Sequence, residues 1–308
     1  MTSDFSNTPV SRLSTSALLF LLSGMSFIGC GGPPAPQIKE VITYSSGFTS
    51  TDVYSYTNDD ELKRVVYSTL GVDTEDRLEF SYREGRVSKL DYHDSVSKDA
   101  VPSLADTMSF KFSYSEDQVR GLDISFTEFP DLQMKGAMDY NSDDILSSLA
   151  MEISVVDNAY RDRVAYSFDY TSDSLFDKIN KKSAEERETT DFEYNSEELI
   201  SEIRLRSGSG GSVEHEFSYN DDGQLVEYET RSEECELSYN EDGLVKEIDC
   251  TDNRGDRTSY EIIYYEDRSV EGMIPRIPGI GFGNFFSLDG RPLSPEEFAD
   301  PMSIYTLL

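Results

Sequence analysis

The chain carries a recurring pattern of alternating apolar and polar positions that ends on a tyrosine. Between Val213 and Tyr219 the odd-numbered positions form a largely apolar, aromatic face, and Glu214, Glu216 and Ser218 lie between them. A period of two is that of a β-strand with one buried face. The following Asn-Asp-Asp-Gly tolerates positive φ and favours a tight reversal. The pattern therefore predicts a β-hairpin with one aromatic face and one acidic face.

The returning strand is expected to alternate as well, with Val226 and Tyr228 on the apolar face and glutamates between them. The same unit recurs along the chain at intervals of 20 to 32 residues. Clear copies end at Tyr82, Tyr114, Tyr170, Tyr194, Tyr219 and Tyr239, and degenerate copies end at Tyr56, Tyr140 and Tyr265. A period in this range indicates an array of supersecondary units.

The array predicts an all-β fold, in which about nine antiparallel hairpins occupy residues 41–270. A sheet with one apolar face must cover it, so we expect a curled sheet, a barrel-like layer or two packed layers. A membrane-spanning barrel would have the same alternation with its apolar face turned outward. It is disfavoured because each apolar face here is only about three residues long, whereas a spanning strand needs about 9–11 residues. Residues 271–308 are predicted to form a short irregular or helical cap, with a helix start at Ser294-Pro295-Glu296-Glu297.

The Tyr-Asn-x-Asp-Gly segments at Tyr219 and Tyr239 resemble YD repeats of the RHS type, whose usual form is Tyr-Asp-x-x-Gly-Arg-Leu. The resemblance is loose and covers roughly residues 53–270. Only Gly85-Arg86-Val87 keeps the Gly-Arg pair. The resemblance implies a β-repeat scaffold and carries no catalytic residue with it.

The first 29 residues are predicted to be a secretory signal peptide. Arg12 precedes a short uncharged apolar run that is too short to span a bilayer as a mature helix. Phe27-Ile28-Gly29-Cys30 resembles the bacterial lipobox, which implies that Cys30 carries a lipid. Residues 30–40 then form a Gly/Pro-rich tether. Residue 31 is Gly and not Asp, which by the same resemblance implies location in the outer membrane and not retention in the inner one. Whether the protein faces the periplasm or the cell surface stays open.

The mature chain keeps the full net charge of −33. This charge repels nucleic acids and anionic lipid headgroups, which leaves the lipid as the predicted membrane attachment. The acidic excess favours a solvated surface, with binding of divalent cations as the alternative. Weak cation binding is conceivable at the repeat turns, where Asn220, Asp222, Asn240 and Asp242 lie, but a plain hairpin turn is the preferred interpretation.

Cys235 and Cys250 are placed on either side of the Asn240–Gly243 turn, nearly equidistant from it. Equidistant positions face each other across a hairpin, and an exported protein meets an oxidising compartment. We therefore predict a structural disulfide. The two histidines, His93 and His215, lie in no nucleophile or zinc motif, so no catalytic, metal or cofactor site is predicted.

These features together favour a non-enzymatic cell-envelope lipoprotein with a binding or scaffold role. Its partner is an unidentified envelope protein, a glycan or a hydrophobic ligand, and nucleic acid is excluded. One alternative is a carrier that holds a hydrophobic ligand within the curled sheet. A less favoured alternative is an envelope hydrolase that uses a carboxylate pair, which no sequence motif identifies.

Overall fold

The computed structural model describes residues 35–97, 107–116, 118–155, 161–184, 186–207, 212–270 and 285–294. Within these ranges the fold is all-β, as predicted, but the first strand begins at Ala35, so the second half of the segment 30–40 is part of the barrel and not of a tether. The strands are β1 (Ala35–Ser45), β2 (Phe48–Tyr56), β3 (Leu62–Thr69), β4 (Thr74–Arg83), β5 (Arg86–Ser97), β6 (Thr107–Ser115), β7 (Gln118–Phe126), β8 (Leu132–Tyr140), β9 (Leu146–Val155), β10 (Arg161–Tyr170), β11 (Phe176–Lys182), β12 (Arg187–Tyr194), β13 (Ile200–Ser207), β14 (Ser212–Tyr219), β15 (Leu225–Thr230), β16 (Glu233–Tyr239), β17 (Val245–Asp252) and β18 (Arg257–Val270).

The eighteen strands close into a single barrel. Each strand pairs antiparallel with the next along the chain, and β1 pairs with β18 to complete the ring. The prediction of a curled, barrel-like sheet is therefore confirmed, and closure leaves no unpaired sheet edge. The described residues contain no helix long and apolar enough to cross a membrane.

The apolar faces of the hairpins point into the barrel and form one contiguous hydrophobic core. Leu62, Leu90 and Leu146 are fully buried there. Glutamates such as Glu229 and Glu236 are exposed on the outer face. This arrangement is the reverse of that in transmembrane barrels, where apolar side chains face the lipid.

Six of the repeat turns are held by the residue that follows the repeat tyrosine. The Asn141 side-chain oxygen accepts hydrogen bonds from the backbone amides of Asp143 (2.9 Å) and Ile145 (3.0 Å). The equivalent asparagine or threonine does the same in five further turns, at Thr57, Thr171, Asn195, Asn220 and Asn240. Such side chains replace the missing backbone partners of a tight turn.

A β-bulge follows each of these turns and changes which residues face the core. Tyr219 pairs with Leu225, whereas Ser218 pairs with Glu227, so Val226 is the extra residue. Leu225 and Tyr228, three positions apart, are consequently buried. The expectation that Val226 alternates regularly with Tyr228 on the apolar face was wrong, because strict alternation ignores the bulge.

The repeat tyrosines form a ladder of hydrogen bonds between successive hairpins. Each hydroxyl donates to a backbone carbonyl near the start of the strand that precedes its own. The bonds run from Tyr56 to Ile38 (2.8 Å), Tyr114 to Val87 (2.8 Å), Tyr140 to Val119 (3.0 Å), Tyr170 to Leu146 (2.5 Å), Tyr194 to Phe176 (2.9 Å), Tyr219 to Ile200 (2.5 Å), Tyr239 to Leu225, and Tyr264 to Val245 (2.7 Å). Tyr82 faces the Leu62 carbonyl in the same way but outside strict hydrogen-bond geometry.

The ladder corrects the position of the last repeat. Tyr264, and not Tyr265, donates to the carbonyl of the preceding hairpin. Tyr265 instead packs edge-on against Tyr56, with ring centroids 6.0 Å apart. Two adjacent tyrosines are equally compatible with the sequence pattern, and only the strand register distinguishes the two faces.

Removing one rung of the ladder should weaken the fold modestly. We expect Tyr194→Phe to lower the free energy of unfolding by about 1 kcal/mol, since the ring stays packed while the Phe176 carbonyl loses its donor. Tyr44→Phe is the control, because Tyr44 is exposed and its hydroxyl lies 3.5 Å from Glu261. Urea unfolding of both variants tests this, and equal midpoints would show that the rung contributes nothing.

The acidic residues form like-charged neighbours on the outer face of β14–β18. Glu236 lies directly between Glu227 and Asp249 on the adjacent strands. Like charges at opposed cross-strand positions repel each other. The outer face therefore carries electrostatic strain that salt screens.

We expect Glu236→Gln to raise the free energy of unfolding by about 0.5 kcal/mol at low ionic strength, and by less at high ionic strength. Glu241→Gln, at an exposed turn tip, is the matched control. Thermal unfolding at two salt concentrations measures the difference. A stabilisation by Glu236→Gln that does not diminish with salt would contradict the electrostatic explanation.

Residues 285–294 pack against the barrel at the end where the tyrosine turns lie, which we call the tyrosine rim. Phe285 contacts Phe176 and Phe192, with ring centroids 5.6 and 5.1 Å apart. The amides of Leu225 and Val245 donate to the carbonyls of Gly290 (2.9 Å) and Leu288 (2.7 Å) (both amides lie directly after repeat turns). The helix start expected at Ser294-Pro295-Glu296-Glu297 lies almost entirely outside the described residues.

Candidate functional site

A cavity of about 430 Å³ opens at the other end of the barrel, which we call the open rim. It lies where β1, β2, β3, β4 and β18 approach the short turns that join β1 to β2 and β3 to β4. Its lining residues are Thr43, Phe48, Ser50, Asp52, Tyr67, Ser68, Thr69, Val72, Thr74, Glu75, Asp76, Thr258 and Tyr260. We refer to this cavity as the cup. Eleven of these thirteen described residues carry a hydroxyl or a carboxyl group, and none of the thirteen is basic.

The strand register brings an acidic row together on the inner face of the cup. Asp52 of β2 lies opposite Tyr67 of β3, and Tyr67 lies opposite Asp76 of β4. Opposed residues on one face of a sheet have their side chains within contact distance. Tyr67 therefore stands between the two carboxyl groups.

Asp52 is the residue that distinguishes the cup electrostatically. It retains a minority of its surface toward the cavity, but burial among protein atoms raises the pKa of its carboxyl to about 7. In the described part of the chain, no base pairs with Asp52 and no group donates a hydrogen bond to it. An ionised carboxyl in such a place costs free energy, because it lacks both water and a counter-charge.

The neighbouring acids of the cup have partners of their own. The Tyr92 hydroxyl donates to Asp76 Oδ2 at 3.1 Å, and Arg77 Nε lies 2.6 Å from Glu75 Oε1. Burial, and then the charges of Glu233 and Asp52, raise the pKa of Tyr260 to about 12. Asp52 is thus the cup carboxyl whose charge the described residues leave uncompensated.

An apolar lip borders the cup at the open rim. Leu70 is 81% exposed, and Phe48 and Val72 are about half exposed. The Leu70 amide donates to the Thr49 carbonyl at 2.8 Å, which joins the two turns that carry these side chains. The lip and the cup together form a surface with an apolar edge and a polar, acidic interior.

The predicted cysteine pair is joined in the structure. Cys235 and Cys250 face each other across β16 and β17 and form a buried disulfide with their Cα atoms 4.0 Å apart. Glu233 lies beside it, and burial together with Asp252 raises the pKa of this glutamate. Glu233 and the two cysteines are the described groups close enough to share a metal ion, but the disulfide occupies both sulfurs.

Loss of this disulfide should destabilise the protein by about 2–3 kcal/mol, because it closes a loop of 15 residues. The measurement is urea unfolding of the oxidised protein and of the Cys235→Ala/Cys250→Ala variant, each with and without reductant. The variant should be insensitive to reductant. Alkylation of either cysteine in the native, unreduced protein, read in its own peptide by mass spectrometry, would contradict the pairing.

The other predicted site residues behave as turn or core residues. The Asn220 and Asn240 side-chain oxygens are used by backbone amides of their own turns, and Asp222 and Asp242 are exposed at the turn tips. These contacts fit the preferred interpretation of plain hairpin turns and do not test the alternative of weak cation binding. Cys30 lies outside the described residues.

Both histidines are buried away from the cup. His215 Nδ1 lies 2.6 Å from the Tyr228 hydroxyl, and burial lowers the pKa of His215 to about 4. His93 Nδ1 lies 2.9 Å from the Thr107 hydroxyl. Both imidazole side chains are thus packed within the protein.

Sequence analysis missed Asp52, although a signal was present. One face of β2 carries Phe48, Ser50, Asp52, Tyr54 and Tyr56, so the Asp52 carboxyl lies on the same face as the two inward-facing tyrosines. An acid at a core-facing position of a strand is uncommon without a partner. Which strands bring hydroxyl groups around it could be known only once the barrel had closed.

No protein-family model and no curated protein matches the chain. Among solved structures, a porin-like protein from Bacteroides uniformis is similar over 76% of this chain and 99% of its own, at 9% identity and a TM-score of 0.43. A porin-like protein from Bacteroides vulgatus is similar over 75% of this chain and 99% of its own, at 9% identity and a TM-score of 0.33.

The Photorhabdus luminescens Tc holotoxin pore is similar over 82% of this chain at 12% identity and a TM-score of 0.32, and the match spans only 17% of that chain. At TM-scores below 0.5, none of these similarities bears on what this chain binds or does.

Proposed function

We propose that this protein is a non-enzymatic, lipid-anchored binding protein of the bacterial outer membrane, which presents its cup away from the lipid. The observation that carries the proposal is the direction of β1. This strand begins at Ala35 near the tyrosine rim and ends at Ser45, next to the turn at the open rim. A lipid on Cys30 would therefore tether the end of the barrel opposite the cup.

The distances support this orientation. The five residues from Cys30 to Ala35 span at most about 18 Å. The eleven residues of β1 extend for about 36 Å along the strand. Even with the usual tilt of barrel strands, the cup would lie about 30 Å further from the lipid than the tyrosine rim. The acidic outer face adds no attraction to anionic headgroups.

The make-up of the cup supports binding in preference to catalysis. Its described lining residues include no histidine, cysteine or lysine, the side chains that most often act as nucleophile or base. A glycoside hydrolase needs two carboxyl groups with open space between them, whereas Tyr67 stands between Asp52 and Asp76. The hydroxyl and carboxyl groups on most of its described lining residues also differ from the predominantly apolar lining that a carrier of hydrophobic ligands needs.

Two measurements on the full chain test the anchoring. Mass spectrometry of the mature amino-terminal peptide should find an acylated Cys30, and Cys30→Ala should move the protein from the outer-membrane fraction to the soluble fraction. A Cys30→Ala variant that stays in the outer membrane to the same extent would exclude the lipid as the anchor.

A fluorescence measurement tests the orientation. A fluorophore on Ser196→Cys, exposed at the tyrosine rim, should be quenched by quencher-bearing lipid in reconstituted vesicles more strongly than one on Ser46→Cys at the open rim. The disulfide shields the two native core cysteines from labelling. Stronger quenching at position 46 would reverse the proposed orientation.

A further inference from the structure

We propose that the cup binds a small polyhydroxylated organic cation, of the amino-sugar or amino-polyol class, whose ammonium group pairs with Asp52. This inference rests on the binding role proposed above and names the ligand class of the same site. It does not depend on the lipid anchor. A failure of either proposal therefore leaves the other measurable.

The first step is the missing counter-charge. Asp52 is partly buried, faces the cavity, and has neither an ionic partner nor a hydrogen-bond donor among the described residues. A buried carboxylate is tolerated when a cation or several donors satisfy it. The neighbouring Asp76 and Glu75 accept from Tyr92 and pair with Arg77, respectively. A cationic group entering the cup thus meets one unsatisfied carboxyl.

The second step separates an organic cation from a metal ion. Within the described residues, no three carboxylate, imidazole or thiol groups of the cup approach within 4.8 Å of one another. Divalent cations take six or more oxygen ligands at short distances, usually from several carboxylates. Asp52 alone offers a single carboxyl, which suits one ammonium group better than a calcium ion.

The third step concerns the rest of the ligand. Hydroxyl groups surround the carboxyl on the neighbouring strands, from Thr43, Ser50, Thr69, Thr74, Thr258 and Tyr67. Hydroxyls both donate and accept, so they complement a ligand rich in hydroxyl groups. The faces of Tyr67 and Tyr260 can stack on an aliphatic ring or attract the ammonium group. The volume of about 430 Å³ is within the range of small-molecule sites.

The binding should depend on pH because Asp52 must ionise to pair with the ammonium group. Among the described residues, the titratable and charged groups that surround it are Tyr54 of β2, Tyr67 of β3, Glu75 and Asp76 of β4, and Tyr260 of β18. Since burial raises the pKa of Asp52 to about 7, affinity should fall as the pH drops from about 8 to about 6.

The experiment is calorimetric titration of the purified full-length chain with N-methylglucamine, a polyhydroxylated ammonium compound, and with sorbitol, its neutral counterpart. At about pH 8 we expect N-methylglucamine to bind about tenfold more tightly than sorbitol, or better. Asp52→Asn should remove this preference. Asp59→Asn, an exposed acid at the opposite rim, should keep it.

Four results would overturn the proposal. Equal binding of sorbitol and N-methylglucamine would exclude the ammonium–carboxylate pair, and an unchanged preference in Asp52→Asn would place the site elsewhere. This ligand class would be excluded if N-methylglucamine gave no heat of binding at millimolar concentrations. It would also be excluded by saturable calcium binding that Asp52→Asn abolishes and that N-methylglucamine does not displace. Because Asp52→Asn removes a buried charge and not a packing contact, it is expected to fold.

Discussion

Replacement of Phe286 by alanine is expected to lower the free energy of unfolding by about 3–5 kcal/mol. Phe286 is fully buried, and its ring packs on Phe217 of β14 with centroids 4.9 Å apart. Removal of a buried aromatic ring costs its transfer free energy and leaves a cavity. Residues 285–294 are therefore an integral part of the barrel core.

Arg291→Ala, in the same segment, is the matched control. The Arg291 side chain is 62% exposed and lies 3.7 Å from Asp289, an exposed ion pair worth about 0–1 kcal/mol. Urea unfolding of both variants measures the difference. If Phe286→Ala costs no more than Arg291→Ala, the segment does not stabilise the barrel.

Gly290 provides an independent test of the same contact. Its φ is +77°, and a Cβ atom there would lie 2.0 Å from the Tyr239 hydroxyl oxygen. Gly290→Ala should therefore disturb both the segment and the last part of the tyrosine ladder.

Asp52→Asn is expected to stabilise the protein at about pH 8 by about 2 kcal/mol or more, and to leave its stability near pH 4 unchanged. The pKa of this carboxyl rises from 3.8 to about 7 on folding, because burial disfavours the charged form. The folded state therefore holds the Asp52 proton more tightly than the unfolded state does. Between about pH 4 and pH 7 the stability contributed by this group falls as the pH rises.

The measurement is the difference in unfolding free energy between the variant and the wild-type protein across this pH range. The difference removes the contributions of the other acids, including the neighbouring Asp76 and Glu75. Asp59→Asn, which is exposed, should show no such profile. A difference that is flat with pH would mean that Asp52 ionises as readily in the folded chain as in the unfolded one.

Much of the fold could be predicted from local pattern. The period-two alternation and the Asn-Asp-Asp-Gly turns identify the hairpins, because both depend on residues close in sequence. The Cys235–Cys250 disulfide was predictable for the same reason, since one hairpin contains both cysteines. The bulge at Val226 was not predictable from alternation, because an extra residue in one strand leaves the hydrophobic pattern almost intact.

The cup was outside the reach of local pattern. Asp52 is an acid in phase with Tyr54 and Tyr56, which marks it as unusual, but its neighbours come from strands as distant as β18. Pairing of β1 with β18 places Thr43 opposite Tyr260, and no short-range signal specifies that pairing. The same is true of Phe285, which reaches Phe176 more than one hundred residues earlier in the chain.

The sequence alone thus determined the repeating hairpins, the inward aromatic faces, the acidic exterior and the disulfide, because each follows from residues a few positions apart. It also predicts export and a lipid at Cys30, again from residues close together in the chain. Only the tertiary structure decided that the ring closes, that residues 285–294 pack at the tyrosine rim, and that Asp52 stands unpaired in a cup at the other end. Those features depend on contacts between distant strands, whose free energies no local pattern records.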